Sequence, residues 1–288
     1  MRQDAPSARR YLSAVIERTV HGDVTAYRLS WWRSRLIGYG VHVYVVRGAM
    51  IDAGYPAARR DVGGIIDAER VRGAFITHQH EDHAGNVPWM ARRGVPLAMD
   101  TRTEAAIRQP HHIGLYRRIT WRNMSPLAGA FPPFADDALG LVYAPGHSPD
   151  HHVVWDAETG TLFAGDLFLG VRVRTAHWYE DPHAHVRSIR ALVAREPARV
   201  FCAHRGLLPN AGRLLAAKAD WIEERIAHAE SLAREGLDVS TIRERVLGPR
   251  GGTHWFSAGD YSPDHLIRAM LSPAPASPWS PPGPHAHR

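Results

Sequence analysis

Residues 78–83 read HQHEDH, five titratable side chains in six positions, separated only by Thr77 from the apolar run AFI. In a strand or tight loop, residues two apart project to the same side. His78 and His80 can therefore offer two imidazole nitrogens to one divalent cation, at about 2.0–2.1 Å each. Asp82 and His83 come next, where the chain turns toward the following helix, and can serve the same ion or a second one. A solvated polar turn is the alternative, because the chain holds 19 histidines.

Three later residues weigh against that alternative. His147 lies in APGHSPDH, Asp166 in LFAGDLF and His204 in VFCAHRG, each at the end of an expected strand and near a glycine. A carboxylate at an apolar strand end is costly unless it is paired, hydrogen-bonded or metal-bound. The glycines permit sharp turns and close backbone approach. Together these positions supply five imidazoles and two carboxylates. That set suffices for two cations such as Zn²⁺ with Asp166 between them, and Mn or Fe also suits mixed N/O ligands. Ser148, beside His147, is read as a turn residue rather than a nucleophile. Cys202 is the only cysteine. It excludes an intrachain disulfide and is read as a buried strand residue.

The elements that must position these groups alternate along the chain, as in an α/β protein. DVTAYRLSWW, GVHVYVVRG, AMIDAGY and VRGAFIT have the β-branched and aromatic character of strands, and helices are expected at 57–69, 84–93 and 183–195. Residues 110–137 mix aromatics, Arg and Pro without a period and are read as a long functional loop. From 211 the pattern turns helical, with Leu215, Ile222, Ile226, Ala229 and Ala233 on one face. The expected organisation is an α/β body over 1–210, a helical region over 211–271 and a disordered Pro-rich tail over 272–288, with a loose end at 1–9.

Bulk composition adds limits. The formal charge is +6, carried almost wholly by Arg, since Lys218 is the only lysine. No basic block is longer than a pair, so a small-molecule partner is favoured over nucleic acid. No stretch reaches the ~20 apolar residues of a membrane span. The N-terminus lacks a signal-peptide core, so a cytoplasmic location is expected.

The segments THQHEDHAG, GHSPDH, AGD and CAHRG, in this order, resemble the metallo-β-lactamase-fold hydrolase superfamily over roughly residues 20–210. The resemblance implies a four-layer αββα sandwich with the metals at one edge between two sheets. It implies one metal on His78, His80 and His147, a second on Asp82, His83 and His204, and Asp166 bridging them. A metal-bridging hydroxide would be the nucleophile, with Asp82 also relaying a proton. The earlier IDAG resembles the family's Asp-x-Gly turn and implies that Asp52 supports a ligand, as His151 also would. One departure is Asp150, where relatives often carry a small residue; it is expected to alter the mouth of the site rather than to touch the metals. The later helices resemble the substrate cover of thioesterase-like relatives such as glyoxalase II. That gives His254, Trp255, Tyr261 and His265 as pocket candidates, although packing is the simpler reading of Trp255 and Tyr261. Hydrolysis of a thioester, lactone or small ester is the expected activity, with phosphodiester cleavage as the alternative. Iron-dependent sulfur dioxygenases of this fold use fewer ligands, and a non-catalytic relative would be expected to have lost one.

Overall fold

The computed structural model describes residues 15–36, 38–110 and 113–272. The loose end at 1–9 and the tail beyond residue 272 lie outside them. Valine-rich alternation builds the first sheet: β1 (Val15–His21), β2 (Val24–Ser30), β3 (Val41–Val46) and β4 (Ala49–Ile51) pair antiparallel in sequence order, with α1 (Trp32–Leu36) between β2 and β3. After α2 (Arg59–Ala68) and α3 (Val87–Arg92), β5 (Gly73–Phe75) and β6 (Leu97–Ala98) extend that sheet in parallel. Two further helices, α4 (Thr101–Arg108) and α5 (Leu115–Thr120), precede the second sheet. It comprises β7 (Leu139–Tyr143), β8 (His152–Asp156), β9 (Thr161–Phe163), β10 (Arg199–Cys202) and β11 (Gly206–Leu207), in the order β11-β10-β9-β8-β7.

The chain divides into two compact units. The first comprises the described residues of Met1–Tyr143, Asp150–Leu169 and Arg195–Gly212, and so holds both sheets. Side chains alternate along its strands. Tyr27, Leu29, Val41, Val43 and Val45 face Val62, Ile65, Ile66, Val87 and Met90 of the helices. On the other face, Val24, Ala26, Tyr44, Val46, Ile51 and Phe75 meet Leu139, Val154, Phe163 and Phe201 of the second sheet. The first sheet thus lies between helices and the second sheet, and each fully buried aliphatic or aromatic side chain contributes about 1.5–3 kcal/mol. The rings of Phe163 and Phe201 stack at 5.4 Å, and Tyr44 leans on both.

Strand register decides which side chains lie just beyond each parallel pair. Ile51 pairs with Phe75, and Phe163 with Phe201. Asp52 comes directly after the first pair, and Asp166 and His204 each lie three residues beyond the second. Side chains at the carboxyl ends of parallel strands are where α/β folds place ligands.

The second unit comprises the described residues of Ala144–Pro149, Gly170–Ala194 and Arg213–Arg288. It contains α6 (Pro182–Val193), most of α7 (Ala211–Arg234), α8 (Val239–Val246), α9 (Gly252–Phe256) and α10 (Pro263–Leu271), with α10 packed on α6 and α8. α7 buries Leu215, Ile222, Ile226 and Ala229, but then Leu232 rather than the expected Ala233. Both come after Ala229 at helical spacing, and the larger side chain takes the core. α5 lies inside the segment read as a loop, because six residues are too few to display a period; α9 is as short. Among the described residues, no helix is long and apolar enough to cross a membrane.

One glycine fixes the start of α3. A Cβ on Gly85 would lie 2.1 Å from the Glu81 carbonyl oxygen and 2.4 Å from Pro56 Cδ, whereas one on Gly64, exposed in α2, would meet nothing within 4 Å. Gly85→Ala is expected to destabilise by about 1–3 kcal/mol. Gly64→Ala is expected to stabilise by up to about 1 kcal/mol. Urea unfolding of the two variants checks both signs.

Candidate metal centre

The centre in the first unit grows from the turn after β4. Asp52 adopts a left-handed backbone, φ 63°, which a short polar residue tolerates better than most. Its buried carboxylate accepts the Thr77 backbone N–H at 2.8 Å and the Thr77 hydroxyl at 2.9 Å. Its other oxygen lies 2.8 Å from His83 Nδ1. That contact turns His83 Nε2 away from Asp52. Nε2 is buried and has no hydrogen-bond partner among the described residues, with Asp166 Oδ1 at 3.3 Å and Asp82 Oδ2 at 3.8 Å.

His204 is held the same way. Its Nδ1 lies 2.8 Å from the Gly40 carbonyl, and its Nε2 lies 3.3 Å from both Asp82 and Asp166. His78 Nδ1 is 3.0 Å from the Thr77 hydroxyl, while its Nε2 faces His80 Nδ1 at 3.0 Å. The backbone N–H of Asp166 donates to His151 Nε2 at 3.1 Å. Ligand atoms of His78, His80 and Asp166 lie within 4.8 Å of one another, and so do those of Asp82, His83 and His204.

This donor set fits divalent cations. Facing imidazole nitrogens need a proton or an ion between them, and two buried carboxylates need positive charge. Burial disfavours charge on Asp166, yet His204 and His83 hold its carboxyl well below the usual carboxylate range. Burial likewise opposes protonation of His83, but Asp166, Asp82 and Asp52 push that ring well above its ordinary value. His204 is raised well above its own against the same burial, by Asp166 and Asp82. A metal ion supplies the same neutralisation, with nitrogen and oxygen ligands that suit zinc, manganese or iron.

His147 belongs to the second unit, where the loop 144–149 is braced by α6. Asp181 donates its N–H to the Gly146 carbonyl at 2.8 Å, and the Ser188 hydroxyl donates to the Pro145 carbonyl at 2.7 Å. Gly146 has φ 137°, and a Cβ there would lie 2.4 Å from His185 Cα. His147 is buried, with Nδ1 3.7 Å from Glu180 Oε2. The four pocket candidates are also in this unit. Tyr261 packs on His177 with ring centroids 3.8 Å apart, so packing describes it. Trp255 is 69% exposed, its ring edge-on to His254 with centroids 5.0 Å apart. His254 and His265 are half-buried.

Several contributors escaped sequence reasoning. Asp150 is fully buried, and its carboxylate accepts the Gln79 N–H at 2.8 Å. It anchors the ligand loop from inside rather than lining a mouth. Glu81, inside the motif, is buried against Arg117 of α5; a buried carboxylate demands a partner, but nothing local names one 36 residues away. Tyr39 meets the His204 ring edge-on at 5.5 Å.

Fold and site together define a class. The metallo-β-lactamase DIM-1 aligns with a TM-score of 0.56 at 18% identity, over 74% of this chain and 97% of that one. FIM-1 from Pseudomonas aeruginosa gives 0.56 at 15%, over 74% and 96%. At these identities the likeness shows the fold, two mixed sheets flanked by helices, in agreement with the expected α/β sandwich class. The model of the metallo-beta-lactamase superfamily matches residues 36–204, and the chain belongs to that family. Beta-lactamase-like protein 2 homolog of Caenorhabditis elegans is 21% identical over 247 residues, 82% of this chain and 74% of that protein. Atrochrysone carboxyl ACP thioesterase AgnL7 of Paecilomyces divaricatus is 30% identical over 142 residues, 49% of this chain. The match spans only 40% of AgnL7.

Two outcomes are expected. Asp52→Asn keeps an acceptor for Thr77 but removes the charge behind His83, and should weaken metal affinity about 10–100-fold with little change in melting temperature. Asp52→Ala should also destabilise by about 1–3 kcal/mol, because the Thr77 N–H is left unsatisfied. Chelator competition and thermal melts separate the two. Cys202 is fully buried, its thiol pushed up by that burial and donating to the Phe168 carbonyl. A thiol reagent should modify it only in denaturant, and rapid labelling of the folded protein would contradict this placement.

Proposed function

We propose that this chain is a dinuclear metal-dependent hydrolase acting on a thioester. His78, His80 and His147 are assigned to one ion and Asp82, His83 and His204 to the other, with Asp166 shared. The observation that carries the proposal is the convergence within the first unit of His78, His80 and Asp166, and of Asp82, His83 and His204, each set within 4.8 Å, with the outward ring nitrogens of His83 and His204 already occupied by Asp52 and Gly40. Two divalent cations, assigned as zinc with manganese or iron compatible, would supply acidified water and polarise a bound carbonyl. The chain's own part is to orient those ligands, to keep the strand ends dry and to offer Asp82 as a proton acceptor.

The thioester class has two supports. AgnL7 and a second relative, from Aspergillus fumigatus and 26% identical over 188 residues, both carry the name atrochrysone carboxyl ACP thioesterase; the match spans 55% of the latter. The chemistry agrees. A thiolate, whose acid has a pKa near 8.5, departs without a proton donor. Glu81, a buried carboxyl inside the motif, is tied to Arg117 and poorly placed to protonate a leaving alkoxide. The helical region over 211–271 is proposed as a substrate cover, with the exposed Trp255 as its leading contact. His254, Tyr261 and His265 are further candidates from the same region. A cytoplasmic location belongs to the same proposal.

Metal analysis should find about two ions per chain. Exhaustive chelation should abolish thioester hydrolysis, and zinc should restore it. Asp166→Asn should lose metal and activity together while keeping its far-ultraviolet circular dichroism. Faster turnover of bis(p-nitrophenyl) phosphate than of any thioester or lactone would assign the phosphodiesterase alternative instead.

A further inference from the structure

A positively charged cavity in the first unit lies outside the ligand sets. Its volume is about 180 Å³, and its lining includes Arg59, Arg92, Arg122, Asn86, Asn123 and Ser125. All three arginines are exposed. Among the described residues none of the three forms an ion pair or a side-chain hydrogen bond. Other arginines of the same unit do find carboxylates: Arg93 pairs with Asp67 at 3.0 Å, Arg108 with Glu104 at 2.7 Å, and Arg117 with Glu81. A guanidinium stays charged at any working pH, so three arginines without a carboxylate partner among the described residues line one small space.

The backbone gives a second, independent observation. Arg122 comes just after α5 with φ 72°, its N–H bonded to the Arg118 carbonyl at 3.1 Å. Glycine is relaxed in that conformation and a side chain is not. The arginine that stands there holds its guanidinium 5.4 Å from the Trp31 ring.

We propose that this cavity binds a phosphate group on the carrier arm of the substrate, and hence that the substrate is a phosphorylated thioester of the acyl-coenzyme A kind. The proposal rests on the thioester reading of the metal centre. Phosphate matches the cavity better than carboxylate does, because the diphosphate of such an arm offers four non-bridging oxygens where a carboxylate offers two, and arginine suits phosphate recognition. The Asn123 amide and the Ser125 hydroxyl add neutral donors. Gly85 and Asn86, on the cavity wall, lie two and three residues beyond His83 in the chain. An anchored arm is thereby held beside the ligand loop, and remote binding of this kind can be used at the reacting centre.

The test compares an acyl-coenzyme A with the same acyl group on N-acetylcysteamine, which has no phosphate. Arg92→Gln and Arg122→Gly should each lower the kcat/KM preference for the coenzyme A ester about tenfold, through KM. Equal effects on both esters, or no effect on either, overturn the proposal. If neither ester is hydrolysed, the thioester reading fails by itself. The cavity is then judged by calorimetric titration with coenzyme A: binding lost in both variants supports it, and binding unchanged overturns it. Tighter, salt-dependent binding of a single-stranded RNA, lost in the same variants, would assign the cavity to a nucleic-acid backbone and overturn it as well.

Discussion

Buried negative charge governs this molecule. Asp52, Asp82 and Asp166 are buried in the loops that follow β4, β5 and β9, where an uncompensated carboxylate would cost several kcal/mol. Everything around them answers that cost. Thr77 and the His83 ring satisfy Asp52. The His83 and His204 rings turn toward Asp166, and either their protons or a metal ion in that space supplies the neutralising charge. Strand register, glycine placement and loop anchoring all bring these groups into one small volume.

The site was legible in the sequence where its logic is local. HQHEDH compresses four candidate ligands into six residues. Asp166 announces itself as an acid among apolar neighbours, and His204 ends a strand that reads as buried. Alternation identified the strands because each face of the first sheet meets a different core. Asp52 was legible only through family resemblance, since one acid after a strand is unremarkable on its own.

What stayed hidden depends on distance along the chain. Arg117 reaches Glu81 from α5, Tyr39 reaches His204 across 165 positions, and Asp150 reaches Gln79 across 71. No period or spacing encodes such pairings. Short elements were hidden for another reason: α5 and α9 complete fewer than two turns. In α7, periodicity located the buried face but could not choose between Leu232 and Ala233, because that choice was made by volume.

The second unit is assembled from three separated stretches of chain, two of which interrupt the first. The loop 144–149 and the α6 segment leave the ribosome long before α10, against which α6 packs. The first unit is complete in sequence at Gly212, while the second still lacks its longest stretch. The first must close its second sheet around incomplete insertions, and the side of α6 that α10 covers waits exposed until α10 emerges. The nascent protein thus passes through a vulnerable interval whose length is set by translation speed, and chaperone dependence should concentrate there rather than in the finished enzyme.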